Sequence, residues 1–164
     1  ACITLVKALS GDQVGAIVLW LMGSFSLSSW SDVSWSFISA LLVLFLGLFW
    51  ARDLDVISSG ANPGSLGVDE NRTVCLLLFG CSLATAVAVS ISGIIGFVGL
   101  VVPHLSRLLI GPSHSRLVPL SIAGGALLLL LADSAARSLG ELPVGVITSL
   151  IGGPIFCFLL WRQR

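Results

Sequence analysis

Charge is what this sequence has least of. Only 10% of its 164 residues are Asp, Glu, Lys or Arg, and eight basic residues balance eight acidic ones to a net charge of zero. Globular domains carry about 25% charged residues. A chain that is 56% hydrophobic, with mean hydropathy +1.08, has more apolar surface than so small a body can hide, so lipid is its expected solvent. The zero balance excludes nucleic-acid binding through a basic surface. Cysteine is sparse as well. Cys2, Cys75, Cys81 and Cys157 form no CxxC pair, and no cluster of His, Asp or Glu lies near them to complete a metal site. They are expected to be ordinary buried thiols. Residues 1–9 are apolar but lack the order of charged region, apolar core and cleavage site that marks a signal peptide. A start at Ala1 rather than Met reads as a cut end, so the chain is expected to be part of a longer protein.

What is present is a set of long uncharged runs. Nineteen residues separate Asp32 from Arg52, twenty run from Leu142 to Trp161, and sixteen from Leu117 to Ala132, with the helix continuing to Ala136. A helix needs about 20 residues for a ~30 Å hydrocarbon core. The run 73–106 would make a single helix ~51 Å long, so it must break. Ser92-Gly93 to Gly96 is where helix-weakening residues group. This predicts an all-α integral membrane protein, a polytopic helix bundle with about five full crossings plus the end of another. The crossings fall near 33–51, 73–92, 95–109, 117–137 and 143–161, after an incomplete one ending near Leu9. Residues 14–22 are too few to span and predict a short interfacial helix. Alternating sides places Arg52, Arg72, Arg107, Arg116, Arg162 and Arg164 on one face and Lys7 and Arg137 on the other, so the first face, with the C-terminus, is predicted to be cytoplasmic. Trp20, Trp30 and Trp35 collect at the outer boundary, and Trp50 and Trp161 at the inner one.

Without a hydrophobic force between helices in lipid, small residues let backbones approach. Gly93, Gly96, Gly99, Gly124-Gly125, Gly145 and Gly152-Gly153 suit that role. A dinucleotide fingerprint would need a strand, a helix and an acidic residue about 20 positions on, and the sequence offers none. The loop 52–72 is too long for a simple connector. Its two short apolar pieces, 54–57 and 65–68, flank Gly60 and Asn62-Pro63-Gly64 and predict two short helices lying flat on the membrane face. Such a segment serves either as a docking platform or as an ordinary amphipathic connector. Arg137 follows Asp133 by one helical turn, which predicts a structural ion pair near an interface. His104, beside Pro103 and Arg107, marks the inner end of the short return crossing; a hydrogen-bonded structural role and a proton relay are both open to it.

"GIIGFVGLVVPHLSRLLIG", carrying Gly93, Gly96, Gly99, Pro103, His104 and Arg107, resembles the motif of FecCD-type permeases, membrane subunits of ABC importers for iron-siderophores, haem and cobalamin. "LWLMGSFSLSSW" (19–30), "RDLDVISSGANPGSLGV" (52–68), "RLVPLSIAGGALLLLLADSAAR" (116–137) and "ELPVGVITSLIGGPIFCFLLWR" (141–162) follow in the family's order. The resemblance implies that residues 1–164 are the C-terminal half of an importer transmembrane domain. It implies a second permease subunit, a cytoplasmic ATPase dimer that holds ATP and Mg, and a periplasmic or lipid-anchored substrate-binding protein. The chain itself would be no enzyme and bind no cofactor. Ser58, Ser59, Gly60, Ser65, Leu66 and Gly67 would belong to the ATPase-coupling segment, and Arg137 would dock the binding protein. The segment departs from the family pattern Leu-Gly-Glu-Glu-x-Ala-x-x-Leu-Gly-Val. Ala61 and Asn62 replace both acidic residues, and Pro63-Gly64 predicts a shortened or irregular coupling helix. The implied function is a permease of the bacterial or archaeal inner membrane, carrying an iron-siderophore or related chelate. A secondary transporter or channel would call for ionisable residues at mid-membrane, and only Asp133, toward the outside, comes near. An intramembrane hydrolase would need His104 and Asp133 to meet, and they fall on opposite faces.

Overall fold

The structure is a computed structural model that describes residues 14–26, 28–60, 63–140 and 142–162. The expected crossing end at 1–9, with Cys2 and Lys7, lies outside the described residues, as do Ala61, Asn62 and Arg164. Among the described residues the chain is helical, with no strand. The helices are α1 (Val14–Leu21), α2 (Trp30–Phe49), α3 (Ala51–Ser58), α4 (Glu70–Ser92), α5 (Val98–Ile110), α6 (His114–Ser138) and α7 (Val144–Arg162), with one 3-10 turn at Pro63–Leu66.

Polar residues start the long helices. The Asp32 carboxylate accepts from the backbone N–H and the hydroxyl of Ser29, both at 2.8 Å. Asp69 accepts from the Arg72 N–H at 3.1 Å, satisfying a donor that α4 leaves open at its first turn. The run 73–106 breaks where predicted. α4 stops at Ser92, the backbone runs unwound through residues 93–97, and α5 begins from Phe97. Phe97 has φ +66°, the one positive φ among described non-glycine residues, a conformation costly for a bulky side chain.

Three helices, α2, α4 and α6, are long and apolar enough to cross a membrane, and α5 and residues 144–158 of α7 form shorter apolar helices. The 13 residues of α5 make ~20 Å of helix, short of a full crossing. Within the spanning stretches of α2 and α4 only 6% of residues are buried inside the chain, and 11% in α6. Trp30 is 88% and Leu109 80% exposed. Such helices are not the core of a soluble domain; lipid or further protein must cover them. The internal core is small: Ala132, Ala136, Val144 and Ile147, with Phe25 and Leu129 packed against them. α6 is the central element, packing on α2, α3, α5 and α7.

The cysteines depart from expectation. Cys75, Cys81 and Cys157 are free and exposed, on α4 and α7, because these helices turn much of their apolar surface away from the chain. The preference of thiols for apolar surroundings does not require a position inside the fold when lipid covers the outside.

The expected helix at 14–22 forms, but its end is not peripheral. Gly23 is buried between the end of α4 and the start of α7. The Ser24 N–H donates to the Ser92 carbonyl (2.9 Å), the Gly145 N–H to the Gly23 carbonyl (3.2 Å), and the Trp20 indole N–H to the Ser90 carbonyl (3.3 Å). Three backbones meet here because three glycines allow it. A Cβ on Gly23 would lie 2.6 Å from the Ile94 carbonyl oxygen, and one on Gly93 or Gly145 would overlap the Trp20 or Met22 carbonyl. This junction joins α1, α4 and α7 at a point where the helices leave backbone groups open.

Candidate functional site

The segment after α2 takes its shape from a few residues. Trp50, at φ −96° and ψ 13°, ends α2 and starts α3 at once, so the expected first short helix begins at Ala51, directly on the end of a span. It is a regular eight-residue helix. The Ser58 and Ser59 hydroxyls close it by donating to the Asp55 (3.1 Å) and Val56 (2.7 Å) carbonyls, and Gly60 turns the chain at φ +73°. The second piece is displaced from 65–68 to Pro63–Leu66 and is a 3-10 turn. Pro63 and Gly64 lie inside it because proline at the first helical position loses no intrahelical bond. The Val68 N–H donates to the Pro63 carbonyl at 3.0 Å. Ser58, Ser59, Gly60, Ser65, Leu66 and Gly67 are all exposed, Leu66 at 59%. The 3-10 turn contacts α3, so the described residues of this segment form one exposed edge.

A contact that sequence reasoning missed holds this edge to the bundle. Asp55 on α3 faces the start of α6: its Oδ1 accepts the His114 backbone N–H at 2.8 Å and lies 2.5 Å from His114 Nδ1, and its Oδ2 is 3.4 Å from the Ser113 hydroxyl, which donates to it. A carboxylate can only accept, so the ring hydrogen sits on Nδ1. Burial pushes the Asp55 carboxyl up. The backbone hydrogen bond from His114 opposes it most, followed by the His114 side chain and its charge and by Ser113, and the net position is below the ordinary 3.8.

At the far end of α6, Arg137 Nε donates to Asp133 Oδ2 at 2.7 Å, the pair expected from their spacing. Arg137 is 64% exposed and Asp133 25%. The pair borders a polar cavity of about 490 Å³ with Ser24, Ser26 and Ser28. Arg137 therefore stands on the opposite end of α6 from Asp55 and His114.

The motif residues separate. Gly93 sits in the glycine junction; Gly96 has only Ser149 within ordinary contact of a would-be Cβ, at 3.7 Å. Gly99 faces open space among the described residues, so no helix approach within them depends on that glycine. Pro103 and His104 are half-buried on α5, and Arg107 is exposed in its last turn. A would-be Cβ on Gly152 would overlap the Phe97 side chain, whose ring lies 6.4 Å from that of Phe156. Between α5, α6 and α7 opens an apolar groove of about 430 Å³, lined among others by Phe97, Leu128 and Ile147.

The sequence model of the FecCD transport family matches residues 1–162. The chain belongs to the FecCD transport family. Among FecCD relatives, it is 44% identical over its whole length to the uncharacterized ABC transporter permease protein YvrB of Bacillus subtilis, covering 48% of that protein. It is 45% identical over 94% of its length to the cobalamin import system permease BtuC of Halobacterium salinarum, covering 42% of it. It is 41% identical over 97% of its length to the hemin transport system permease HmuU of Yersinia pestis, covering 52% of it. A solved structure described as an inward-facing conformation of a metal-chelate type ABC transporter superposes with TM-score 0.71 at 35% identity, over 97% of this chain and 54% of that one. The chain spans about half the length of the relatives it matches.

Proposed function

We propose that the chain is the C-terminal half of the permease of a binding-protein-dependent ABC importer. It would move a metal chelate of the iron-siderophore, haem or cobalamin class across a bacterial or archaeal inner membrane. The observation that carries this is the position of two exposed elements toward opposite ends of α6 in one FecCD chain: the edge holding Ser58, Ser59, Gly60, Ser65, Leu66 and Gly67 at one, Arg137 at the other. Arg52, Arg72, Arg107 and Arg116 open or close helices at the first end, which the positive-inside rule makes cytoplasmic, together with the C-terminus. A cytoplasmic ATPase dimer, holding ATP and Mg, docks on that edge and supplies the hydrolysis. A substrate-binding protein docks at the Arg137 end, and a second permease subunit completes the pathway. The chain does no bond chemistry. The nucleotide shifts the inward-open and outward-open states only by its differential affinity for them, transmitted through the edge.

The test uses full-length protein with its ATPase in proteoliposomes, with cyanocobalamin, hemin and Fe(III) dicitrate as probes. Gly67→Trp meets no atom within 4 Å among the described residues but takes a bulky side chain to φ +74°, a local cost of about 1–2 kcal/mol in an exposed turn; it is expected to abolish ATP-driven uptake while the protein stays folded. Uptake at the wild-type level would remove the coupling role of this edge.

A further inference from the structure

We propose that Asp55 and His114 form a clasp through which displacement of α3, which leads into the exposed edge, is carried into α6, making them positioning residues for coupling; this rests on the importer reading above. α2 and α4 are started by groups within their own chain neighbourhood, Ser29 with Asp32 and Asp69. α6 is different. Its N-cap residue, Ser113, makes no side-chain capping bond to its own helix; its hydroxyl faces Asp55 and Ser115. The first-turn N–H of His114 is satisfied instead by Asp55, 59 residues earlier in the chain. One carboxylate thus gathers the backbone N–H, the imidazole and the serine hydroxyl of a single helix end. The positive end of the helix favours that charge.

The consequence is mechanical. If α3 moves relative to α6, α6 must either follow or lose its cap. His114 is 14% and Asp55 39% exposed, so the contact is partly shielded from water, unlike a free surface pair. The non-helical backbone of Trp50 leaves α3 a point of bending against α2. α6 is 25 residues long, with Pro119 in its second turn, spans ~37 Å, and bears Asp133 and Arg137 at its other end, so a shift imposed at His114 is passed toward the opposite face along one continuous helix. Its contacts with α2, α5 and α7 spread the same shift into the bundle.

The test compares Asp55→Ala and Asp55→Asn in the full-length complex with its ATPase and binding protein. It reads uptake per ATP hydrolysed, with whichever of cyanocobalamin, hemin and Fe(III) dicitrate the wild type carries, alongside the thermal unfolding midpoint. Asp55→Ala is expected to lower uptake per ATP by about tenfold, the scale of one charge-assisted hydrogen bond. Asp55→Asn keeps an acceptor oxygen for His114 and is expected to restore most of it. Wild-type uptake per ATP in Asp55→Ala overturns the clasp. So does a loss that follows the unfolding midpoint and is not restored by Asn, since that is a structural cap alone. Wild-type protein that takes up none of the probes with ATP overturns the importer reading itself, and that result is read without any variant.

Discussion

The glycine junction can be tested with three alanine substitutions that separate backbone strain from packing. Gly99→Ala adds a methyl to α5 where nothing among the described residues lies within 4 Å and φ is ordinary. It is expected to be neutral or to stabilise by up to ~1 kcal/mol through helix propensity. Gly111→Ala meets equally open space among the described residues, but at φ +83° and ψ −171°, a backbone region open essentially to glycine alone, and is expected to cost about 1–3 kcal/mol for that conformation. Gly23→Ala carries a similar conformational cost at φ +75° and also puts a Cβ 2.6 Å from the Ile94 carbonyl oxygen and 3.0 Å from Ile95 Cγ1. The obstacle is backbone, fixed in turn by the Ser24–Ser92 and Gly145–Gly23 hydrogen bonds. Overpacking of this kind adds roughly 1–3 kcal/mol, for a total of about 2–6 kcal/mol. The assay is the unfolding midpoint of full-length protein in mild detergent, followed by tryptophan fluorescence and by retention of a monodisperse peak. The expected order of stability is Gly99→Ala, then Gly111→Ala, then Gly23→Ala. A Gly23→Ala protein as stable as Gly111→Ala would refute the claim that backbone approach at Gly23 holds α1, α4 and α7 together.

The other expectations are smaller in scope. Arg137→Ala should change stability by no more than about 1 kcal/mol, as for other exposed pairs, yet abolish stimulation of ATP hydrolysis by the binding protein; unchanged stimulation argues against docking there. Gly152→Val drives a side chain into Phe97 and should lower stability by roughly 1–3 kcal/mol, measured as the same unfolding midpoint. Because the Asp55 carboxyl is held below its ordinary 3.8, its stabilising contribution is present above that value and is lost as pH falls through the lower folded one. The difference in unfolding midpoint between wild type and Asp55→Ala should therefore shrink below about pH 4; a gap that widens there would contradict this origin.

Much of the helical order was legible because lipid makes a sequence simple. Uncharged runs mark the spans, and Ser92-Gly93 marks the break at the residue where α4 ends. The four-residue spacing of Asp133 and Arg137 reports their pair, since one turn of helix brings them together. The candidate edge was legible in composition but not in form: Pro63-Gly64 looked like a helix breaker, whereas proline at the start of a 3-10 turn is compatible with it. Contacts distant in sequence left no local trace. Nothing near Asp55 signals that its partner is His114, and neither periodicity nor charge tells that Gly23, just past α1, is buried between α4 and α7. Gly99 and the cysteines show the opposite limit. A small or apolar residue in a membrane helix looks the same whether it faces a neighbouring helix or the lipid, because both are apolar.

The most direct test of the importer account is to purify the full-length protein from native membranes in mild detergent, identify what accompanies it, and measure ATP hydrolysis. The account predicts a stoichiometric ATPase that leaves when residues 58–66 are deleted, and hydrolysis that rises when the binding protein is added. A pure membrane protein without an ATPase, transporting its solute without nucleotide, would contradict it.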